Sequence, residues 1–411
     1  MKKLLSVLLI LSFLPSFSGC GSIYTNYREI EQLLVIQTMG LDYIPGGVRI
    51  SLASAAGSGP ESEPVCLSSA GVSITAAMER AQNYSNEDDL FFAHINTVIL
   101  GEEAARQGID SYLSFICRSP HIRIDMPLFI VKDTTAEELM SSAGRNQNRI
   151  SEIMNTLYDN LERQGENCIF GANEVIRNFE RYGSSLICAI EYADAAEIPS
   201  ASENSGTAEN GAKNQQAGNQ RAGSSSGGES GQKSGGKTAA INGYGVLKAG
   251  RLLSYIDAEG AVGVGFLLNR VGVDEIIVED QAGSKVTLEI SQGGSQIRPL
   301  WAEDGSLHGL DVSAEVSASV ADMEKSGNLD SPEYSDYITS RLEAAVSSRI
   351  SAVLRLSQKL SADFLGLAGR IETQAPEKFR AMAESFEQCL PDLELRISVS
   401  GELSHSNDIK D

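Results

Sequence analysis

The chain has 411 residues, with 55 acidic against 33 basic residues and a formal net charge of −22. This length exceeds what one hydrophobic core usually organises, and it predicts two or three domains. Phosphate backbones are bound by clustered Lys and Arg. Because the sequence contains no basic stripe, it excludes nucleic acid as a direct partner.

The first 20 residues have the pattern of a lipoprotein export signal. Two lysines follow Met1, an apolar run extends from Leu4 to Leu14, and a Ser-Gly pair stands directly before Cys20. A membrane anchor helix is the alternative, but it needs roughly 20 apolar residues and this run is shorter. We predict a signal peptide at residues 1–19, cleavage before Cys20 and attachment of diacylglycerol to its thiol, with fatty acids such as palmitate. The acyl chains would attach the protein to a membrane at roughly 0.8 kcal/mol for each buried methylene.

Residues 20–196 are predicted to form an N-terminal α+β domain, because strand patterns and helical apolar stripes follow one another. The predicted strands lie at Val48–Leu52, Ile95–Leu100, Leu128–Val131 and Leu186–Ile190. The predicted helices cover Ile74–Tyr84, Glu102–Cys117 with Ile109, Leu113 and Ile116 inward, a segment with Ile150, Met154, Leu157 and Leu161 on one face, and a segment around Val175, Ile176 and Phe179.

A Ser/Gly-rich stretch separates this domain from the rest of the chain. Between Ser200 and Ala240 there is no Leu, Ile, Val, Phe, Tyr or Trp. So little apolar area cannot offset the entropy of ordering the backbone. We therefore predict a disordered linker over residues 197–240.

A small β-rich domain is predicted for residues 241–301. Its strands are placed at Gly243–Lys248, Leu252–Ile256, Val262–Leu268, Glu275–Glu279, Val286–Ile290 and Ser295–Trp301. The glycines at 260, 263 and 265 lack the order of a phosphate-binding GxGxxG loop, and we interpret them as strand glycines.

Residues 302–411 are predicted to form a C-terminal α+β domain. Strict alternation from Leu310 to Val320 indicates a half-buried strand, and Ser331 followed by Pro332 marks the start of a long amphipathic helix. A second helix is expected from Pro376 to Pro391, before a closing strand at Leu393–Val399. The fold class predicted for the chain is α+β and multi-domain, with mixed or antiparallel sheets, packed helices and about three dissimilar domains.

The sequence shows no arrangement of residues that supports catalysis or metal binding. Its four histidines, at positions 94, 121, 308 and 405, are far apart, and neither HExxH nor GxSxG occurs. Five cysteines remain besides Cys20, without a CxxC pair, and Cys188 reads as a small buried hydrophobe. His94, at the start of an apolar strand, is predicted to be a hydrogen-bonded core residue. We therefore expect no enzyme, no catalytic residue, no cofactor and no metal.

Four segments carry a family resemblance, in the order in which they occur. They are Tyr27–Glu31 with Gly40–Asp42, His94–Leu100 with Gly101–Glu103, Gly245–Leu252, and Asp363–Leu367 followed by Pro376 and Phe386. With the lipoprotein signal before them, they resemble the GerAC-like family, the C-subunit lipoproteins of spore germinant receptors. The resemblance covers nearly the whole chain.

This resemblance implies a non-catalytic lipoprotein subunit that assembles with the A and B membrane subunits of a nutrient germinant receptor. The lipid on Cys20 would hold it at the outer leaflet of the spore's inner membrane, on the extracytoplasmic face. Direct binding of a small molecule stays open. Arg28, Glu29, Arg118 and Asp363 are expected to make structural or partner contacts. The alternative is an extracytoplasmic solute-binding lipoprotein of a transporter, which would need two doubly wound lobes around a cleft.

Overall fold

The computed structural model describes residues 33–54, 65–85, 89–120, 122–145, 150, 153–154, 156, 170–194, 237–325, 329 and 331–404. The predicted signal peptide at 1–19, Cys20 and residues 197–236 of the predicted linker lie outside this part of the chain. Residues 237–240, also assigned to the linker, instead begin a strand.

A nine-stranded mixed sheet forms the larger part of the fold. Its strands are β1 (Leu33–Ile44), β2 (Gly47–Ser54), β3 (Cys66–Gly71), β4 (Asp89–Phe91), β5 (Thr97–Gly101), β6 (Leu128–Val131), β7 (Ser184–Asp194), β8 (Lys237–Lys248) and β9 (Arg251–Ile256). They follow the order β3-β2-β1-β5-β6-β7-β8-β9, and β4 pairs with β1. The central strands β1, β5, β6 and β7 are parallel, and both edges are antiparallel. The short apolar runs of β5 and β6 are buried throughout, as central parallel strands require.

The described residues place these helices beside the sheet: α1 (Ile74–Tyr84), α2 (Glu102–Gln107), α3 (Asp110–Arg118), α4 (Ala136–Arg145) and α5 (Ala172–Tyr182). The bounds predicted for α1 are confirmed. The single helix predicted over Glu102–Cys117 is two helices, because Gly108 adopts φ +133° and breaks the helical path. Ile150 and Met154 are buried, whereas Leu157 and Leu161 of the same predicted stripe lie outside the described residues.

A second, four-stranded sheet has the order β10-β11-β12-β13. Its strands are β10 (Glu275–Glu279), β11 (Lys285–Trp301), β12 (Leu307–Met323) and β13 (Glu394–Ser404). The alternation predicted from Leu310 onward is confirmed, with alternate side chains of β12 buried. The two strands predicted over 286–301 are one strand whose pairing with β12 shifts register after Ile290.

The helices of the second part lie in the chain between β12 and β13. They are α7 (Pro332–Leu360), α8 (Leu367–Gln374), α9 (Pro376–Arg380) and α10 (Phe386–Cys389), with single 3₁₀ turns at Ala383–Ser385 and Leu390–Asp392. The predicted start of α7 is confirmed, with Ser331 as N-cap, and Ile338, Leu342, Val346, Ile350 and Val353 are buried along one face. The single helix predicted from Pro376 to Pro391 is instead two short helices, α9 and α10, each followed by a 3₁₀ turn.

Residues 241–301 do not form a sheet of their own, contrary to the predicted small β-rich domain. Strands β8 and β9 join the first sheet through β7, whereas β10 and β11 belong to the second. The predicted strand Val262–Leu268 lies in a helix, α6 (Ala258–Leu268), so its glycines are helical rather than strand glycines. Asp257 caps this helix by accepting the Gly260 N–H, and Asn269 ends it in the left-handed region. A short run that is apolar on every side has no period, so sequence alone cannot distinguish helix from strand there.

Helix α6 lies where the two sheets meet. It packs against β8 and β9 of the first sheet, against β11 of the second, and against α7. Every residue of α6 from Gly260 to Leu267 is buried. This burial explains its uninterrupted apolar sequence and gives the protein one continuous core across both sheets.

Candidate functional site

Asp42, from the Gly-Leu-Asp segment of the resemblance, is a buried helix cap. Its Oδ1 accepts the Ala136 N–H at 2.8 Å, and its Oδ2 accepts the Glu137 N–H at 2.9 Å. These are free amides at the start of α4, where the helix dipole favours a negative charge. Burial nevertheless raises the pKa of the Asp42 carboxyl, with the two amides opposing that effect. The segment therefore fixes α4 on β1.

Asp363 has the same role at the start of α8. Its two carboxylate oxygens accept the Leu367 N–H at 2.7 Å and the Ala368 N–H at 2.8 Å. The side chain is almost completely buried, and burial raises its pKa to about 6 against the effect of the two amides. Asp363 thus makes a structural contact, the first of the two roles expected for it.

The other residues singled out in the sequence lie apart. Arg118 is exposed at the end of α3, and Arg28 and Glu29 lie outside the described residues. The prediction that His94 is a core residue is wrong. His94 is exposed in the turn before β5, which begins only at Thr97, with its ring centroid 5.5 Å from that of Phe91. Cys188 is fully buried on β7, as predicted.

Lys248, in the third segment of the resemblance, connects the first sheet to α7 and α10. It ends β8, and its Nζ donates to the carbonyl oxygen of Ser361 at 2.6 Å. Ser361 is the C-cap of α7, where unpaired carbonyls favour a cation. The same Nζ lies 3.6 Å from an oxygen of Glu387 on α10. Asp42, Lys248 and Asp363, from three of the four segments of the resemblance, therefore each dock one element on another.

Arg349 of α7 is buried against α6, with an incomplete set of partners. Its Nε and Nη1 have no hydrogen-bond acceptor among the described residues. Burial lowers the pKa of the guanidinium, whereas the charges of Glu259, Asp274 and Asp257 oppose that effect. Burial raises the pKa of Asp274 to about 6, although Arg349 opposes the shift. These groups form a buried charge cluster at the junction of the sheets.

This cluster predicts that stability increases on mild acidification. Asp274 binds its proton more tightly in the folded protein than in the unfolded chain, so the free energy of unfolding should rise as pH falls from about 7 to about 5. The shift sets an upper bound of about 3 kcal/mol, and because the side chain is only half-buried we expect about 1 kcal/mol. Asp363 contributes with the same sign.

Urea unfolding at several pH values measures this effect. Asp274→Asn should flatten the pH dependence, whereas Asp336→Asn, at an exposed position of α7, should leave it as in the wild type. An unchanged pH dependence in Asp274→Asn would show that this carboxyl is not responsible.

A cleft of about 730 Å³ opens between the two parts of the fold. It is lined by α5, by the segment after α6, by β11, and by α8 with the residues just before it. Five of its lining residues are arginines and one is an acid, Glu174; the arginines are Arg177, Arg181, Arg270, Arg298 and Arg370. In a chain with 55 acidic and 33 basic residues, this is a local reversal of charge.

Two aromatic rings hold arginines at this cleft. The guanidinium of Arg181 lies 5.4 Å from the ring centroid of Tyr182, and that of Arg270 lies 5.8 Å from the ring centroid of Phe170. Such stacking orients a guanidinium while leaving its edge available for hydrogen bonds. Burial raises the pKa of Tyr182, so the ring remains neutral beside these cations.

Sequence reasoning missed this cleft because its arginines come from four separate segments. Only Arg177 and Arg181, four residues apart on α5, share a helical face that the sequence itself reveals. Arg270 reaches the cleft from the end of α6, Arg298 through the pairing of β11 and Arg370 through the placement of α8, all of which depend on long-range contacts. The sequence contains no basic stripe, but the fold brings these five arginines together in one cleft.

Two features are absent from the described residues. No group of three or more His, Cys, Asp or Glu side chains in this part of the chain is placed to hold a metal ion. None of its helices has both the length and the apolarity needed to cross a bilayer.

Comparison with known proteins identifies the class. The profile described as spore germination protein N-terminal domain matches residues 26–192, and the profile described as spore germination B3/GerAC like, C-terminal, matches residues 242–407. The crystal structure of the GerBC protein is similar to this fold, with a TM-score of 0.52 and 13% sequence identity over 89% of this chain and 96% of that one. No curated protein matches the chain.

These matches define a two-part spore germination protein with an α+β, multi-domain fold. The chain belongs to the GerAC-like family, the C subunits of germinant receptors. The predicted family and the predicted fold class are thereby confirmed.

Proposed function

We propose that this protein is a non-catalytic lipoprotein subunit of a nutrient germinant receptor, held to the spore's inner membrane by acyl chains on Cys20. The observation that carries the proposal is the succession of the two GerAC family matches, which span residues 26–192 and 242–407. The export signal that ends at Cys20 supplies the anchor. In this role the A and B subunits of the same receptor are its partners.

The anchor places the folded body close to those partners. Strand β1 begins at Leu33, so the connection from Cys20 can span at most roughly 45 Å. Confinement to this thin layer raises the effective concentration of the subunit beside membrane proteins, and interfaces of modest affinity then suffice. The formal charge of −22 offers no attraction to anionic headgroups, which leaves attachment to the lipid.

The fold gives less support to a solute-binding lipoprotein. Such proteins close two similar lobes around a ligand. Here the described residues build a nine-stranded mixed sheet and a four-stranded sheet of different topology, which α6 joins through a shared core.

Spore germination tests the proposal. Spores without this chain should lose or strongly slow their response to the nutrient that the receptor recognises, and should germinate normally with an agent that bypasses receptors. Expression of the chain from a second locus should restore the nutrient response. Equal defects with both agents, or no defect with any nutrient tested in a strain without paralogous receptors, would contradict the proposed role.

A further inference from the structure

The arginine-lined cleft contains more positive charge than the fold itself uses. Glu174 pairs with Arg270 at 2.8 Å and lies 3.8 Å from Arg177, and Arg181 pairs with Glu372 at 2.9 Å. These contacts are partly exposed and contribute little to stability. They also leave two of the five arginines without an acidic partner.

Arg298 and Arg370 are those two. Among the described residues, the partner of the Arg298 guanidinium is uncharged: its Nη2 donates to the amide oxygen of Gln296 at 3.1 Å. The guanidinium of Arg370 makes no hydrogen bond and no ion pair with any residue that the structure describes. The charge of Asp363 acts on this guanidinium, but both oxygens of that carboxylate accept hydrogen bonds from backbone amides.

Burial makes the unpaired state of Arg370 costly. It is half-buried in the wall of the cleft, whereas the other four arginines are exposed. Desolvation lowers the pKa of its guanidinium. A partly desolvated cation without a hydrogen-bonded anion gains from an anionic ligand, so the arrangement suits a site completed by one.

We propose that this cleft binds a small oxyanion with at least two negative charges, carried by carboxylate or phosphate groups. The planar guanidinium presents a fork of donors that matches both groups, and Arg370 and Arg298 would provide the ligand's principal contacts. The volume of about 730 Å³ is in the range of small-molecule sites. Since α5 belongs to the first part of the fold and β11 and α8 to the second, a bound anion would connect the two parts.

Calorimetric titration of the full acylated chain in detergent tests this proposal. Citrate and pyrophosphate serve as soluble probes at constant ionic strength, because exposed charges are screened by salt. We expect at least one of them to bind the wild type. Its affinity for Arg370→Gln and for Arg298→Gln should be lower by at least about tenfold. Arg355→Gln, which removes the same charge from an exposed position of α7 outside the cleft, should bind like the wild type.

Flotation with cardiolipin vesicles, whose headgroup carries two phosphodiester charges, distinguishes a lipid headgroup from a free anion. For this arm the unacylated mature chain is used, so that the anchor itself contributes nothing. One outcome is that the wild type binds the vesicles, Arg298→Gln and Arg370→Gln both abolish that binding, and neither soluble probe binds. This result would identify the ligand as the phosphate of a lipid headgroup. Because Arg298 is exposed, its variant should fold normally, which circular dichroism checks. The proposal is overturned if neither arm detects binding, or if both cleft variants bind as the wild type does.

Discussion

Replacing Cys20 with Ala should abolish acylation and eliminate the nutrient response of the spores. Without the thiol, no diacylglycerol can be attached, and the signal peptide is not removed by the peptidase that requires a lipidated cysteine. Incorporation of labelled palmitate, followed in immunoprecipitated protein, should fall to background. Germination with a receptor-independent agent should remain normal.

The matched control is Cys66→Ala, which removes an exposed thiol from β3 of the folded body. It should retain both the label and the nutrient response. Full incorporation of label in Cys20→Ala, or a normal nutrient response in that strain, would contradict the proposed anchor.

Replacing Gly263 with Ala should destabilise the protein by about 2 kcal/mol, although Ala is normally the better helix former. A Cβ at position 263 would lie 2.6 Å from the carbonyl oxygen of Arg349 and 3.1 Å from Cγ2 of Val353. The first atom belongs to the backbone of α7 and cannot move aside alone. Helix propensity favours Ala over Gly by about 1 kcal/mol, so the two effects have opposite signs and packing should prevail.

Urea unfolding measures the change. Ala352→Gly, at an exposed position of α7, isolates the propensity effect and should cost only about 1 kcal/mol. A Gly263→Ala protein that equals or exceeds the wild type in stability would show that α6 and α7 are not held in this close contact.

Local patterns in the sequence predicted much of this fold. The bounds of α1, the start of α7 and the alternation of β12 follow from caps and periodicity within single segments. The helix α6 could not be predicted in the same way, because all its sides are buried and its apolar run is compatible with either structure. Its helical structure depends on the two sheets, which together bury all its sides.

The sites were predictable to a smaller extent. Asp42 and Asp363 could be selected from the family resemblance, but their role as caps depends on the amides of α4 and α8. Asp42 lies far in sequence from the helix that it caps, whereas Asp363 lies just before its own. The prediction for His94 failed because an apolar strand after it does not ensure that the residue itself is covered.

The contacts that define the fold suit a subunit that works by association. The carboxylates of Asp42 and Asp363 accept hydrogen bonds from backbone amides, and Lys248 donates to the end of α7. The cleft brings five arginines together, and their guanidinium groups suit the binding of an anion.

Co-purification from spore membranes tests the central claim most directly. The inner membrane is solubilised in mild detergent, and the A subunit of the receptor is captured through an affinity tag. We predict that this chain elutes with the A and B subunits and that its mature amino terminus is an acylated Cys20. Recovery of the chain only in the unbound fraction, with an unmodified amino terminus, would contradict the account.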